Sequence, residues 1–247
     1  MEIFFVRHAQ TQMNVEKRQY DNFGKDEYYP ITERGKIQAQ ETGKYLKTYG
    51  KFDLVISSPR HRCLETAEEI NKIINFNGKI IESNLLLEGK SGKFNGIKFE
   101  DVSKLLEKDK NIININKKIN KETNIFNKIK LYRKQKKIYK KFLQIPDSDE
   151  LIKNYKKFLD KLTKIKKAKR ILIVCHSGTI DMIQRIITNT DNYSFDYNIV
   201  LNEYNNGNKK MYENSACFIL TCLLDKTGYH LVSPKNNLHL ENIQEKK

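Results

Sequence analysis

The chain has 247 residues, 46 Lys and Arg against 30 Asp and Glu, a formal net charge of +16 and an apolar share of 38%. That length and apolar content exclude a disordered chain and leave one large domain, or two small ones, with a sizeable core. Four cysteines (Cys63, Cys175, Cys217, Cys222) form no CxxC and are too few for a disulfide scaffold, so buried reduced thiols in a cytosolic protein are expected. Met1-Glu2 passes straight into a β-rich run with no basic leader, and no apolar run nears the ~20 residues of a membrane span, which predicts a soluble cytoplasmic chain.

Glu2 to Val6 reads as a short buried strand that ends in Arg7-His8. Residues 12–29 are polar and aromatic without a period, which predicts a loop with one helical turn. Its aromatic part, "YDNFGKDEYYP", is a candidate for lining a pocket mouth or for a packed surface loop. In "PITERGKIQAQETGKYLKTYG", Thr32 is a good N-cap, Ile37, Tyr45 and Leu46 supply an apolar face, and Gly50 ends the helix. "FDLVISS" (52–58) predicts a strand broken by Pro59, "HRCLETAEEINKII" the next helix, and "KIIES" another short strand.

Residues 104–141 carry 14 Lys/Arg and 3 Asp/Glu, so most of the chain's excess charge lies there. Such a segment suits contact with RNA, DNA or an anionic membrane. Its basic residues are nearly all Lys, however, with few aromatics between them, which favours a solvated helical or flexible insertion. "ILIVCHS" (171–177) is the clearest buried strand, and "GTIDMIQRIIT" follows as a helix. The Asn/Tyr-rich stretch 188–214 predicts a long loop. "SACFILTCLL" and "YHLV" predict two closing strands joined by a hairpin turn at "DKTG" (225–228).

Strands alternating with helices predict an α/β fold with a mostly parallel sheet, whose polar strand ends converge on one crevice. Arg7-His8, His176, and Ser57-Ser58 leading to Arg60 and Arg62 fall at such ends. Paired histidines and arginines make a cationic pocket suited to a phosphate, since the guanidinium fork matches its oxygens. A metal site is the rival reading. The absence of Asp or Glu from the Arg7 and His176 motifs, and the nearby arginines, count against it, so no metal or cofactor is expected. A neutral histidine can attack phosphorus, and the leaving oxygen then needs a proton. Glu88, in "LLLEGKSGKFNG", is the best candidate acid, though a loop or capping carboxylate is its plain alternative.

Together these motifs resemble the histidine phosphatase superfamily, the phosphoglycerate mutase-like group. Arg7, His8, Thr11 and Asn14 are similar to its Arg-His-Gly-x-Thr-x-x-Asn signature, "SSPRHRCLETA" to its arginine motif, "LEGKSGKFNG" to its acid motif, and "IVCHSGTI" to its second-histidine motif. The resemblance covers most of the chain outside 104–141. It implies a single domain over 1–247 with a three-layer α/β/α fold and that insertion. It implies His8 as the phosphorylated nucleophile, Arg7, Arg62 and His176 as a phosphate cage, Thr11 and Asn14 as further phosphate-binding residues, and Glu88 as proton donor. Ala9 stands where the family has glycine, and Asp149-Glu150 where it has Glu-Ser. Arg60 reads as a surface residue or a specificity contact, and His61 and His239 as structural. The expected activity is hydrolysis of a small acidic phosphorylated metabolite, with phosphoglycerate mutase as the alternative. The missing tryptophan and the "GKSG" after Glu88 favour the phosphatase. An inactive member that binds RNA or membrane through 104–141 is the remote alternative, and a homodimer is left open.

Overall fold

A computed structural model describes residues 1–18, 29–89, 95–143, 149–188, 217, 219–236 and 240. Glu2–Arg7 (β1), Leu54–Ser57 (β2), Ile81–Glu82 (β3), Arg170–Cys175 (β4), Ile219–Asp225 (β5) and Gly228–Asn236 (β6) form one sheet in the order β3-β2-β4-β1-β5-β6. β1, β2, β3 and β4 run parallel, while β5 and β6 add an antiparallel edge. The turn between β5 and β6 is the hairpin expected at 225–228.

The helices Glu33–Lys47 (α2), His61–Ile74 (α3), Asp149–Thr163 (α7) and Ser177–Ile187 (α8) cover the sheet. Alternation along β1 explains the layering, because successive side chains point to opposite faces. Phe4 and Val6 pack with Ala39 and Leu46 of α2 and with Cys63, Ala67 and Ile70 of α3. Ile3 and Phe5 pack on the other face with Tyr155, Phe158 and Leu159 of α7 and Ile180 and Ile183 of α8. The central strands are therefore apolar on both faces, as parallel strands under two helix layers must be.

Thr32 caps α2 as expected, its side chain accepting from Gly35 N. The apolar face of α2 differs from the sequence reading. Ile37 is 49% exposed, and the buried face is built from Gly35, Gln38, Ala39, Thr42, Gly43 and Leu46. Small residues win there because α2 lies close to its neighbours: a Cβ on Gly43 would come within 2.8 Å of the Ile73 Cβ on α3.

The Lys-rich stretch falls in three helices, Phe99–Lys108 (α4), Lys110–Lys121 (α5) and Ile125–Leu143 (α6). They share a small core of Val102, Leu106, Ile112 and Tyr139. A further helical turn, Gln12–Val15 (α1), follows the first motif. Among the described residues no helix is long and apolar enough to cross a membrane. The pocket-mouth aromatics at 20–28, the glycine-rich residues 90–94, the long stretch 189–214 and His239 lie outside the described residues.

Phe5 is fully buried in the central strand. Phe5→Ala should cost about 3–5 kcal/mol in urea unfolding, against less than about 0.5 kcal/mol for Ile37→Ala. Equal losses for the two would contradict this packing.

Candidate active site

β1 and β4 are adjacent and parallel, with Arg7 opposite Cys175. The next residue of each strand therefore leaves the sheet at the same edge. The His8 N–H donates to the Cys175 carbonyl at 2.9 Å, and the His8 and His176 rings lie 5.6 Å apart at 66°. Both rings are buried, at 2% and 0% exposure.

The His8 Nδ1 sits 2.8 Å from the Ala9 carbonyl oxygen. A carbonyl only accepts, so the proton lies on Nδ1 and the lone pair on Nε2. The next residues are tightly held. Ala9 N–H donates to Thr66 Oγ1 at 2.9 Å, and Thr66 Oγ1 donates to the Arg62 carbonyl at 2.6 Å. Thr32 N–H donates to the Gln10 carbonyl at 2.8 Å, and a Cβ on Gly35 would stand 2.4 Å from that oxygen. Only glycine lets α2 come this close. At Ala9 the backbone φ is not positive, so this position does not need a glycine, and its methyl is fully buried in the core.

Arg62 lies in the first turn of α3 and is 3% exposed. Its guanidinium donates to His176 Nδ1 at 3.1 Å. The lone pair of His176 is therefore on Nδ1, and its Nε2–H donates to Ser58 Oγ at 2.9 Å. Burial pushes the pKa of His8 well below the ordinary histidine value, and the Arg62 and Arg7 charges push it the same way. Burial does the same to His176, aided by Arg62, His8, Arg60 and Arg7. Both rings are neutral at pH 7. The Cys63 thiol lies 3.7 Å from His176 Nε2, and burial raises its pKa to about 12, so it is an inert neighbour rather than a nucleophile.

Glu88 follows a single 3-10 turn at Asn84–Leu86. Two neighbouring helices hold this stretch. Tyr155 of α7 donates to the Leu87 carbonyl at 2.7 Å, and Thr179 of α8 to the Leu86 carbonyl at 3.3 Å. The Glu88 carboxylate accepts from Gly178 N–H, in the first turn of α8, at 2.8 Å. Its other oxygen stands 3.7 Å from His176 Nδ1 and 4.0 Å from the Arg62 guanidinium.

The fold thus gathers Arg7, His8, Arg62, Glu88 and His176 at one end of the sheet. Thr11 and Asn14 are engaged with each other: Thr11 caps α1, and its N–H and hydroxyl donate to Asn14 Oδ1 at 3.0 and 2.9 Å. Arg60 is the half-buried N-cap of α3, and His61 is exposed. Three supporting residues had no assigned role in the sequence reading. The sequence puts Ser58 at the crevice and gives no sign of its partner, His176. Thr66 follows Arg62 by one helical turn, which is the signal that puts both on one face. Tyr155 acts across a long sequence gap and gives no local sign. Among the described residues no group of three or more His, Cys, Asp or Glu could hold a metal ion.

The family model described as histidine phosphatase superfamily (branch 1) matches residues 3–205. The chain is 31% identical over 102 residues to the uncharacterized phosphatase PhoE of Bacillus subtilis (strain 168), covering 41% of this chain and 49% of PhoE. The match thus spans about half the length of that relative. Among solved structures, the phosphoglycerate mutase of Bacillus anthracis superposes with a TM-score of 0.68 at 18% identity, covering 99% of this chain and 97% of the mutase. The alpha-ribazole phosphatase of Shigella flexneri gives 0.63 at 16%, covering 96% and 97%. The phosphoserine phosphatase of Entamoeba histolytica, solved with 3-phosphoglyceric acid, gives 0.60 at 19%, covering 97% and 98%. These structural likenesses establish a phosphoglycerate mutase-like fold. The family model, matching residues 3–205, makes the chain a member of branch 1 of the histidine phosphatase superfamily.

Proposed function

We propose that the chain is a phosphomonoesterase that hydrolyses a small acidic phosphorylated substrate through a phosphohistidine on His8. The observation that carries this reading is the buried, neutral His8 ring, its Nδ1–H tied to the Ala9 carbonyl. That bond keeps the lone pair on Nε2, the state a nucleophilic imidazole needs. In the first step Nε2 attacks phosphorus in line and the bond from phosphorus to the ester oxygen breaks. Glu88, protonated, gives its proton to that oxygen, and the alcohol leaves. Arg7 and Arg62 hold the equatorial oxygens, while His176 braces Arg62 beside them. Asn14 adds to the oxygen-binding set from the start of α1, and Thr11, whose N–H and hydroxyl both donate to Asn14 Oδ1, orients it there. In the second step Glu88 takes a proton from water, the hydroxide oxygen bonds to phosphorus, the N–P bond breaks, and its electron pair returns to Nε2.

A phosphoglycerate mutase shares the first step and differs in passing the phosphoryl group to a second hydroxyl rather than to water. The buried free thiols at Cys63, Cys175, Cys217 and Cys222 suit a reducing compartment, and we place the enzyme in the cytoplasm on that ground.

His8→Ala should lower release of phosphate from an aryl phosphate by at least about a thousandfold. Equal turnover by both proteins would refute the nucleophile. A parallel assay with 3-phosphoglycerate separates the two acceptors: inorganic phosphate supports hydrolysis, and 2-phosphoglycerate supports the mutase.

Glu88→Gln should cost about 100-fold or more on an alkyl phosphate and much less on a nitrophenyl phosphate, whose leaving group needs no proton. Equal losses on both would remove Glu88 as the acid.

The lowered pKa of His8 has its own signature. A histidine whose pKa falls on folding binds its proton more readily when unfolded, so stability is full above about pH 6.5 and declines as pH falls below it. Nitrogen NMR of the ring should still show the neutral Nδ1–H tautomer of His8 at pH 6. A titration midpoint at about 6.5 or higher would contradict the burial argument.

A further inference from the structure

Arg7-His8, His176 and Arg62 come from the ends of β1 and β4 and from the first turn of α3, so their mutual placement depends on how these elements are joined. The His8 N–H joins β1 to β4 at the Cys175 carbonyl, 2.9 Å away. The Arg62 guanidinium joins α3 to His176 Nδ1, 3.1 Å away. A third junction, from α3 back to the end of β1, sets where Arg62 stands relative to the His8 ring. Thr66 occupies it.

Thr66 lies one turn after Arg62 on α3 and is fully buried. Its hydroxyl has one proton, which it donates to the Arg62 carbonyl at 2.6 Å. A lone pair is left over and accepts the Ala9 N–H at 2.9 Å. A bond from a helical threonine to the carbonyl four residues earlier is ordinary and serves the helix alone. The second bond spans 57 residues of sequence and takes the peptide that joins His8 to Ala9. The Ala9 carbonyl in turn holds the His8 ring, at 2.8 Å from Nδ1. The Ala9 methyl belongs to the same apolar cluster as Cys63 and Ala67 of α3. One buried oxygen thus ties the backbone beside the nucleophile to the backbone of the phosphate-binding arginine. In-line attack tolerates little error there, since a displacement of about 1 Å costs about 100-fold in rate.

We propose that Thr66 is a positioning residue for phosphoryl transfer. Its hydroxyl fixes the His8 ring against the Arg62 guanidinium, so that the nucleophile and the cage meet the same phosphorus. It touches neither the substrate nor the reacting atoms. The expected effect on turnover rests on the phosphatase reading above; the geometric coupling does not.

Thr66→Val keeps the side-chain shape and removes the hydroxyl, which leaves the Ala9 N–H buried without its partner. Thr66→Ser keeps the hydroxyl and removes the methyl. Both variants lose stability, so unfolding alone does not separate a positioning role from a structural one. Two ligands do. Inorganic phosphate needs only the cage, whereas orthovanadate, a five-coordinate mimic of the transition state, needs the cage with His8 Nε2 in line. In calorimetry on the folded full chain, Thr66→Val should weaken orthovanadate about tenfold or more and phosphate less than about threefold, with Thr66→Ser close to the unaltered chain for both. On an aryl phosphate, kcat should fall about 100-fold in Thr66→Val with KM nearly unchanged, and recover in Thr66→Ser. An unaltered ratio of the two affinities in Thr66→Val, or equal losses in the valine and serine variants, overturns the proposal. Thr66→Ala, which also lacks the hydroxyl, supplies the same comparison where Thr66→Val does not fold. If the affinities follow the prediction but the unaltered chain releases no phosphate, the coupling stands and the phosphatase reading fails.

Discussion

The parallel, in-register pairing of β1 with β4 is the constraint on which the rest of the site depends. It sets Arg7 opposite Cys175 and ties the His8 N–H to the Cys175 carbonyl, so the two strands release their histidines side by side. Neither strand can slip without cost. A shift by one residue would exchange the faces of Phe4, Phe5 and Val6 between two different helix layers. The core therefore specifies the register, and the register specifies the distance between the rings.

Electrostatics adds the second constraint. Two buried histidines beside guanidinium groups stay neutral, because a proton on either ring would add charge to a site already positive. Hydrogen bonds then divide the tautomers between them. His8 carries its proton on Nδ1 through the Ala9 carbonyl, and His176 carries its proton on Nε2 through Ser58. One ring is thereby left with a lone pair for chemistry, and the other with a lone pair that anchors Arg62. A bound phosphoryl group supplies the negative charge that this preorganised cluster lacks.

Much of this was legible in the sequence because short-range patterns encode it. Apolar runs ending in Arg7-His8 and Cys175-His176, and the Ser-Ser-Pro break before Arg62, each mark a strand end. Parallel α/β architecture brings such ends together. Periodicity points to Ile37 on the apolar face of α2, but close approach to the Gln10 backbone and to α3 favours Gly35 and Gly43 over a larger side chain on the buried face. The supports of the site were not legible. Thr66 is marked only by its helical spacing from Arg62, Tyr155 acts across a long separation in the chain, and nothing local marks a serine that will meet a histidine 118 residues later. Ala9 can stand where the family has glycine because its φ is not positive and its methyl is buried in the core.

The central claim is that Nε2 of His8 takes the phosphoryl group. Rapid acid-free quenching of the enzyme with excess substrate, followed by peptide mass mapping, tests it most directly. The account predicts one acid-labile phosphoryl group on the peptide carrying His8, absent when His8 is replaced by Ala. Phosphate turnover at full rate with no such adduct, or an adduct on another residue, would contradict it.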